Sequence, residues 1–210
     1  GVETGDGKGH RLTGDPALPS GDYGVGGVAM AFEMDTLDTW DFPSNGEYLA
    51  TRFERQMTDL GSSQEIGMIE ATAGLARSFD ALTVHGWAVL GAADRQPQVQ
   101  NIHRIGGLFR LSGLAEDELL GRTAGMLGIG FRRRFGDLEA LLQRNTYLGV
   151  TLEAGGAWFD GEPMTLDSTV FAGSAYLGMD TFVGPFHLAW GHAEAGRDRV
   201  YIVLGRTIHR

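Results

Sequence analysis

Six histidines stand at positions 10, 85, 103, 187, 192 and 209, and none forms an i, i+4 helical pair or joins a carboxylate cluster at zinc-ligand spacing. The chain has no cysteine, which excludes disulfide frameworks, thiolate zinc sites and cysteine nucleophiles together. No G-x-S-x-G elbow is present to expose a nucleophilic serine. The Asp-Gly pairs Asp6-Gly7 and Asp160-Gly161 read as turn residues before they read as acids. Gly5-Asp-Gly-Lys-Gly9 lacks both the first glycine and the hydroxyl of a phosphate-binding loop, and Gly24-Val-Gly26 lacks the third glycine of a dinucleotide fingerprint. Asp160, Glu162 and Asp167 lack the ordered spacing of a calcium loop and read as a solvated acidic segment. No catalytic residue, cofactor or metal is expected in this chain.

Composition narrows the class further. The 210 residues carry a net charge of -10, with 33 glycines and only 6 prolines. The glycines make up about 16% of residues, more than twice the usual ~7%. With 42% hydrophobic and 21% charged residues the chain is neither disordered nor collagen-like. An acidic chain without a basic patch is not a duplex-DNA binder, so nucleic acid is excluded as a partner. The longest mainly apolar uncharged run, Gly24 to Phe32, is far too short for a transmembrane helix of ~20 residues. The start shows neither a basic nor an apolar leader region and reads as a cut through a longer chain.

The elements behind these residues are strands. Residues 1–22 are polar and rich in Gly, Asp and Pro, and read as a flexible lead-in or a loop from a preceding strand. From residue 23 onward, period-two alternation predicts about nine strands: 23–35, 47–60, 65–79, 81–90, 121–135, 145–157, 169–182, 186–193 and 199–208. Ordinary strands run about five or six residues, whereas tilted membrane-crossing strands need ~9–11, so these lengths are informative. Connections 79–80 and 183–185 are very short, and 36–46 and 136–144 modest. The opposite rim carries the longest connection, 91–120, together with 158–168 and two short ones, 61–64 and 194–198. Short turns at one rim and longer loops at the other are the habit of outer-membrane barrels. Only Asp137 to Arg144 suggests a helix, with Leu138, Leu141 and Leu142 on one side.

The two strand faces differ. Leu148, Val150 and Leu152, and likewise Val200, Ile202 and Leu204, fall on apolar faces. The other face is rich in small residues such as Gly128, Gly130, Gly149, Gly178 and Gly191 among charges such as Arg52, Glu54, Glu70 and Glu153. Glycine weakens a strand, so this density calls for curvature or for close approach by an internal loop. Aromatic residues near strand ends (Trp40, Phe42, Phe79, Trp158, Phe159, Phe182, Phe186) suit interfacial girdles. Arg132, Arg133 and Arg134 form a basic flank suited either to anionic headgroups or to a solvated strand end. Nine strands cannot close a single-chain bacterial barrel, which uses an even number, so on this reading the chain supplies part of one.

Four segments together carry a family resemblance. Asp35-Thr-Leu-Asp38-Thr-Trp-Asp-Phe42-Pro43-Ser-Asn-Gly46 resembles the periplasmic turn of the outer-membrane assembly and secretion superfamily that includes BamA and TamA. Ile105-Gly-Gly-Leu-Phe-Arg110-Leu-Ser112-Gly113 resembles that superfamily's inward-folded sixth loop, and Leu152-Glu153-Ala-Gly-Gly-Ala-Trp158 its conserved acidic strand. The ending from Gly184 to Gly196, followed by Val200 to Arg206, is similar to the last two strands of patatin-like phospholipases secreted by the type V route.

The resemblance implies an all-β, antiparallel transmembrane barrel, with 23–210 as its C-terminal part: about nine strands of sixteen, and 91–120 as the loop folded into the lumen. This segment would be no enzyme. A patatin domain with its Ser/Asp dyad and a POTRA domain would lie upstream in the same chain, and the segment would anchor and translocate in the bacterial outer membrane. Its partners would be outer-membrane lipids, the barrel-insertion machinery, those upstream domains and, in a homo-oligomer, further copies. The family's loop carries an Arg-Gly pair facing an acidic residue. Here Ser112-Gly113 occupies the pair, so Arg110 or Arg104 is expected to meet Glu153, unless Glu153 is solvated in a wet pore. Ile208 stands where these barrels usually end in an aromatic residue, which weakens recognition by the insertion machinery. Two alternatives remain open: a BamA/TamA-like assembly factor of the same fold, and a soluble β-sandwich binding module.

Overall fold

A computed structural model describes 24–98, 101–135, 145–194 and 196–205, together with two short strands near the start. The long strands are β3 (Gly27–Asp35), β4 (Gly46–Gln56), β5 (Ile66–Phe79), β6 (Leu82–Ala93), β9 (Thr123–Arg134), β10 (Thr146–Trp158), β11 (Val170–Thr181), β12 (Gly184–Ala193) and β13 (Arg197–Leu204). They form one nine-stranded sheet, ordered β13-β12-β11-β10-β9-β6-β5-β4-β3, with every neighbour antiparallel. The sheet is not closed into a barrel; β3 and β13 are its edges. Each expected strand corresponds to one of these nine, with ends shifted by a few residues.

A second, smaller sheet orders β1 (Val2–Thr4), β2 (His10–Leu12), β8 (Leu119–Gly121) and β7 (His103–Ile105). Strands β7 and β8 are the paired arms of the long connection between β6 and β9. The helix expected over Asp137 to Arg144 lies outside the described residues.

Turn chemistry separates the rims. The β5–β6 hairpin turns on Asp80-Ala81, with Asp80 at a φ of 55° and Phe79 paired to Leu82. The β11–β12 hairpin turns on Phe182-Val183 into Gly184. Both lie on the rim that also carries 36–45, whereas the long connection between β6 and β9 leaves from the other.

Cross-strand pairing lines up the apolar residues in rows. Leu148, Leu177, Leu188 and Ile202 are consecutive partners across the four strands β10 to β13, and the row is broken at Arg133 of β9 before Leu82 of β6. Such pairs are the unit of sheet stabilisation. Their face is nonetheless open: Leu152 is 66% and Ile202 74% exposed. The buried core lies on the opposite, glycine-rich face, where the long connection folds back over the sheet. There Ile105, Leu111, Leu114 and Leu119 of the connection pack with Ala124, Met126, Ala157, Val170 and Ala193 of the strands. The usual arrangement for a sheet in water, with its apolar face inward, is reversed.

Candidate functional site

The connection reaches its deepest point at Glu153 on β10, a residue only 3% exposed. The Leu111 and Ser112 amides donate to Glu153 Oε2 at 2.8 and 2.7 Å, and the Ser112 hydroxyl donates to Oε1 at 2.8 Å. Thr151, two residues back on the same strand face, adds its hydroxyl to Oε1 at 2.6 Å and lies 2.7 Å from the Ser174 hydroxyl of β11. Two successive amides converge on one oxygen because Leu111 adopts a left-handed φ of 72°. This is the geometry of a backbone anion nest. Phe109 also has a positive φ, 61°. Such conformations cost about 1–3 kcal/mol each in a non-glycine residue and persist only where surrounding contacts over-determine them.

Those contacts come from several strands. The Trp87 indole of β6 donates to the Phe109 carbonyl at 2.9 Å, and the Ser112 hydroxyl accepts the Phe109 amide at 3.0 Å. On β13, the Tyr201 hydroxyl accepts from the Gly113 amide and donates to the Leu114 carbonyl, both at 2.7 Å. Gly113 has a φ of 105°, and a Cβ there would run into the Ala193 amide of β12, so glycine is required twice over.

Glu153 therefore meets Ser112, while the Gly113 amide is taken by Tyr201, and the expected arginine is not the partner. The Arg110 guanidinium turns away and donates to the Arg104 carbonyl at 3.0 Å. Among the described residues no basic side chain forms an ion pair with Glu153, nor is the carboxylate solvated. The reason is geometric. A left-handed Leu111 aims backbone donors at the carboxylate and the Ser112 side chain completes the set, which leaves no room or need for a guanidinium.

The turn of the opposite rim is built on its own motif. Asp35 Oδ1 accepts the Leu37 amide at 2.9 Å, and Asp38 Oδ1 accepts those of Thr39 and Ser44 at 2.9 and 2.8 Å. Gly46, at a φ of 116°, lies so close to the Thr36 carbonyl and Leu37 that a Cβ would collide with the backbone. The turn so held sends Phe42 inward. Its ring stacks on Tyr147 of β10 at 4.5 Å and lies tilted against His187 of β12 at 5.1 Å. At 4% exposure, Phe42 is no girdle residue, which corrects the expectation for that aromatic. Phe79 and Phe182, at 65% and 85% exposure, do remain on the surface.

Arg132 likewise departs from its expected place in a basic flank. It is 4% exposed and donates to the Pro43 carbonyl, with its guanidinium over the Phe42 and Tyr147 rings at 5.6 and 5.5 Å. Period two explains this: Arg132 shares parity with Gly128 and Gly130 on the loop-covered face, and Arg133 shares parity with Phe131 on the open one. The unusual glycines of the covered face also find their reason here. The Trp87, His85 and Tyr176 rings lie over cross-strand partners Gly128, Gly130 and Gly149, and Phe42 fills the place of a side chain at Gly178.

Between the two loops and the inner side of β5 and β6 is a cavity of about 540 Å3, lined in part by Tyr48, Trp87, Arg110 and Arg132. Beside it, burial pushes His103 of β7 below its usual pKa, with Glu70 at 3.8 Å pulling the other way. At the rim, the Gly67 amide and then Arg55 hold the Asp94 carboxyl below its usual value. This pairing accounts for Arg55, which interrupts the apolar face of β4. No cluster of three or more metal-ligating side chains occurs among the described residues.

Trp87, Tyr176, His187 and Tyr201 were not singled out from sequence as loop contacts. Their signal was parity, since each falls on the same alternating face as the glycines or as Glu153. No protein-family model matches the chain, and no curated protein matches it.

Proposed function

We propose that this chain is a membrane-spanning part of an outer-membrane β-barrel, about nine of sixteen strands, serving as translocator and anchor for a patatin-like phospholipase domain upstream in the same chain. The segment itself performs no chemistry. Its strands satisfy their backbone hydrogen bonds laterally, as hydrocarbon demands, and its inward loop occupies the lumen. One observation carries the reading: large apolar side chains such as Leu148, Val150, Leu152, Val200, Ile202 and Leu204 lie exposed on one face of the sheet, while the buried core is on the glycine-rich face. A soluble sandwich would bury those side chains under a second sheet, and no such layer covers them among the described residues.

This segment has no cysteine of its own, so single cysteines can be placed along β13 in a full-length protein with any upstream cysteines replaced, reconstituted in lipid vesicles and labelled with a fluorophore. Probes at Val200, Ile202 and Leu204 are expected to be quenched by spin-labelled acyl chains, and probes at Arg199 and Val203 are not. Equal and weak quenching at all five positions, with a water-soluble protein, would overturn the membrane reading. An assembly-factor barrel would pass the same test. A G-x-S-x-G elbow encoded upstream selects the phospholipase, and repeated POTRA domains without it select the assembly factor.

A further inference from the structure

Rings from the loops of both rims converge on His187, beside a second contact in which Tyr176 lies 5.0 Å from Phe109. Phe42, from the 36–45 turn, lies 5.1 Å from the His187 ring, and Phe109, from the long connection, lies 5.5 Å from the same ring in an edge-on arrangement. His187 is 3% exposed, and its Nδ1 has no hydrogen-bond partner among the described residues. Its ring also lies 5.9 Å from that of Tyr176. Strand register fixes where the ring stands: His187 pairs with Gly178, whose missing side chain leaves the space that the Phe42 ring fills. Phe109 in turn is joined to the Glu153 nest through the bond from its amide to the Ser112 hydroxyl.

We infer that His187 is a positioning residue that couples the two rims, so that the seating of Phe42 in the short turn holds the long connection in its docked position. Packed rings have few intermediate arrangements, because close-packed interiors shift between discrete packings rather than deforming continuously. Withdrawal of Phe42 leaves a void beside His187. The His187 ring relaxes into it, the edge contact to Phe109 is lost, and the Leu111 and Ser112 amides lose part of the support that keeps them on Glu153. Movement of the turn at one rim would thereby loosen a loop anchored at the other. The inference concerns the contact between loops and is readable whether or not the sheet lies in lipid, so its failure is distinct from failure of the membrane reading.

Amide hydrogen exchange on the full-length protein tests it, with the Leu111, Ser112 and Gly113 amides as reporters. Phe42→Ala is expected to speed their exchange about five- to tenfold, the scale of one lost aromatic contact. His187→Ala is expected to do the same, and Phe42→Ala combined with His187→Ala to add little further, since both break one path. His187→Phe keeps a ring and is expected to restore slow exchange, which a role resting on histidine's charge would not allow. Gly178→Ala, which crowds the Phe42 ring without removing any contact atom, gives a second route if the truncations fail to assemble. Unchanged exchange at 106–114 in Phe42→Ala, additive effects in the double variant, or uniform acceleration across the whole sheet would each overturn the inference.

Discussion

The two ends of the sheet present the same alternation and resolve it differently. Across β9 to β13, the glycine-rich face is covered by the long connection, and its polar groups are buried and satisfied: Glu153 takes four hydrogen bonds and Thr151 is linked to Ser174. Across β3 no loop lands among the described residues, and on β4 the long connection reaches only the far end, where Asn101 donates to Gln56 at 3.2 Å. All nine residues of β3 are exposed. Arg52, half exposed, pairs with its own strand neighbour Glu54 at 2.7 Å. Alternation therefore specifies only that a face is polar. What makes a site of it is a loop that excludes water and brings donors, because an unmet polar group is costly only where it is desolvated.

Substitutions should expose this contrast, with effects that fall steeply from the covered end to the open one. Glu153→Leu strands two amides and two hydroxyls in a dry site. Orphaned buried groups cost about 1–3 kcal/mol each, so the loop should lose about 4 kcal/mol or more of docking free energy, measured as the opening equilibrium of its amides. Unchanged protection at Leu111 and Ser112 would break the assignment of Glu153 as the anchor. Tyr201→Phe removes one acceptor and one donor but keeps the ring. A loss of about 1–2 kcal/mol by the same measurement is expected, confined to Gly113 and Leu114. Arg52→Ala removes a solvent-screened ion pair and should leave the denaturation midpoint unchanged within error. A large effect there would mean that the open end is covered by something the nine strands do not supply.

Much of this architecture was legible along the chain. Parity placed Leu148, Val150 and Leu152 on one face and Glu153 on the other, and the density of glycine on the second face pointed to a close-packed internal loop. The span and motif of the long connection marked it as that loop. Three of the features misread or missed have a clear physical reason. The partner of Glu153 was expected to be arginine, because charge is visible in a sequence and a left-handed leucine is not. Phe42 was placed with the interfacial aromatics by its nearness to a strand end, although Asp35, Asp38 and Gly46 shape a turn that points it inward. Arg132 was grouped with its sequence neighbours, although parity alone sends it to the opposite face from Arg133.

The amino-acid order by itself determined the count of long strands and their approximate extents, the antiparallel neighbours joined by short turns and the polarity of each face. These follow from side-chain alternation and turn chemistry, which act over a few residues. Only the tertiary structure decided that backbone amides rather than a guanidinium would meet Glu153, and that Phe42 and Phe109 would converge on His187 from opposite rims. Both outcomes depend on the relative placement of segments tens of residues apart, which local preferences do not encode.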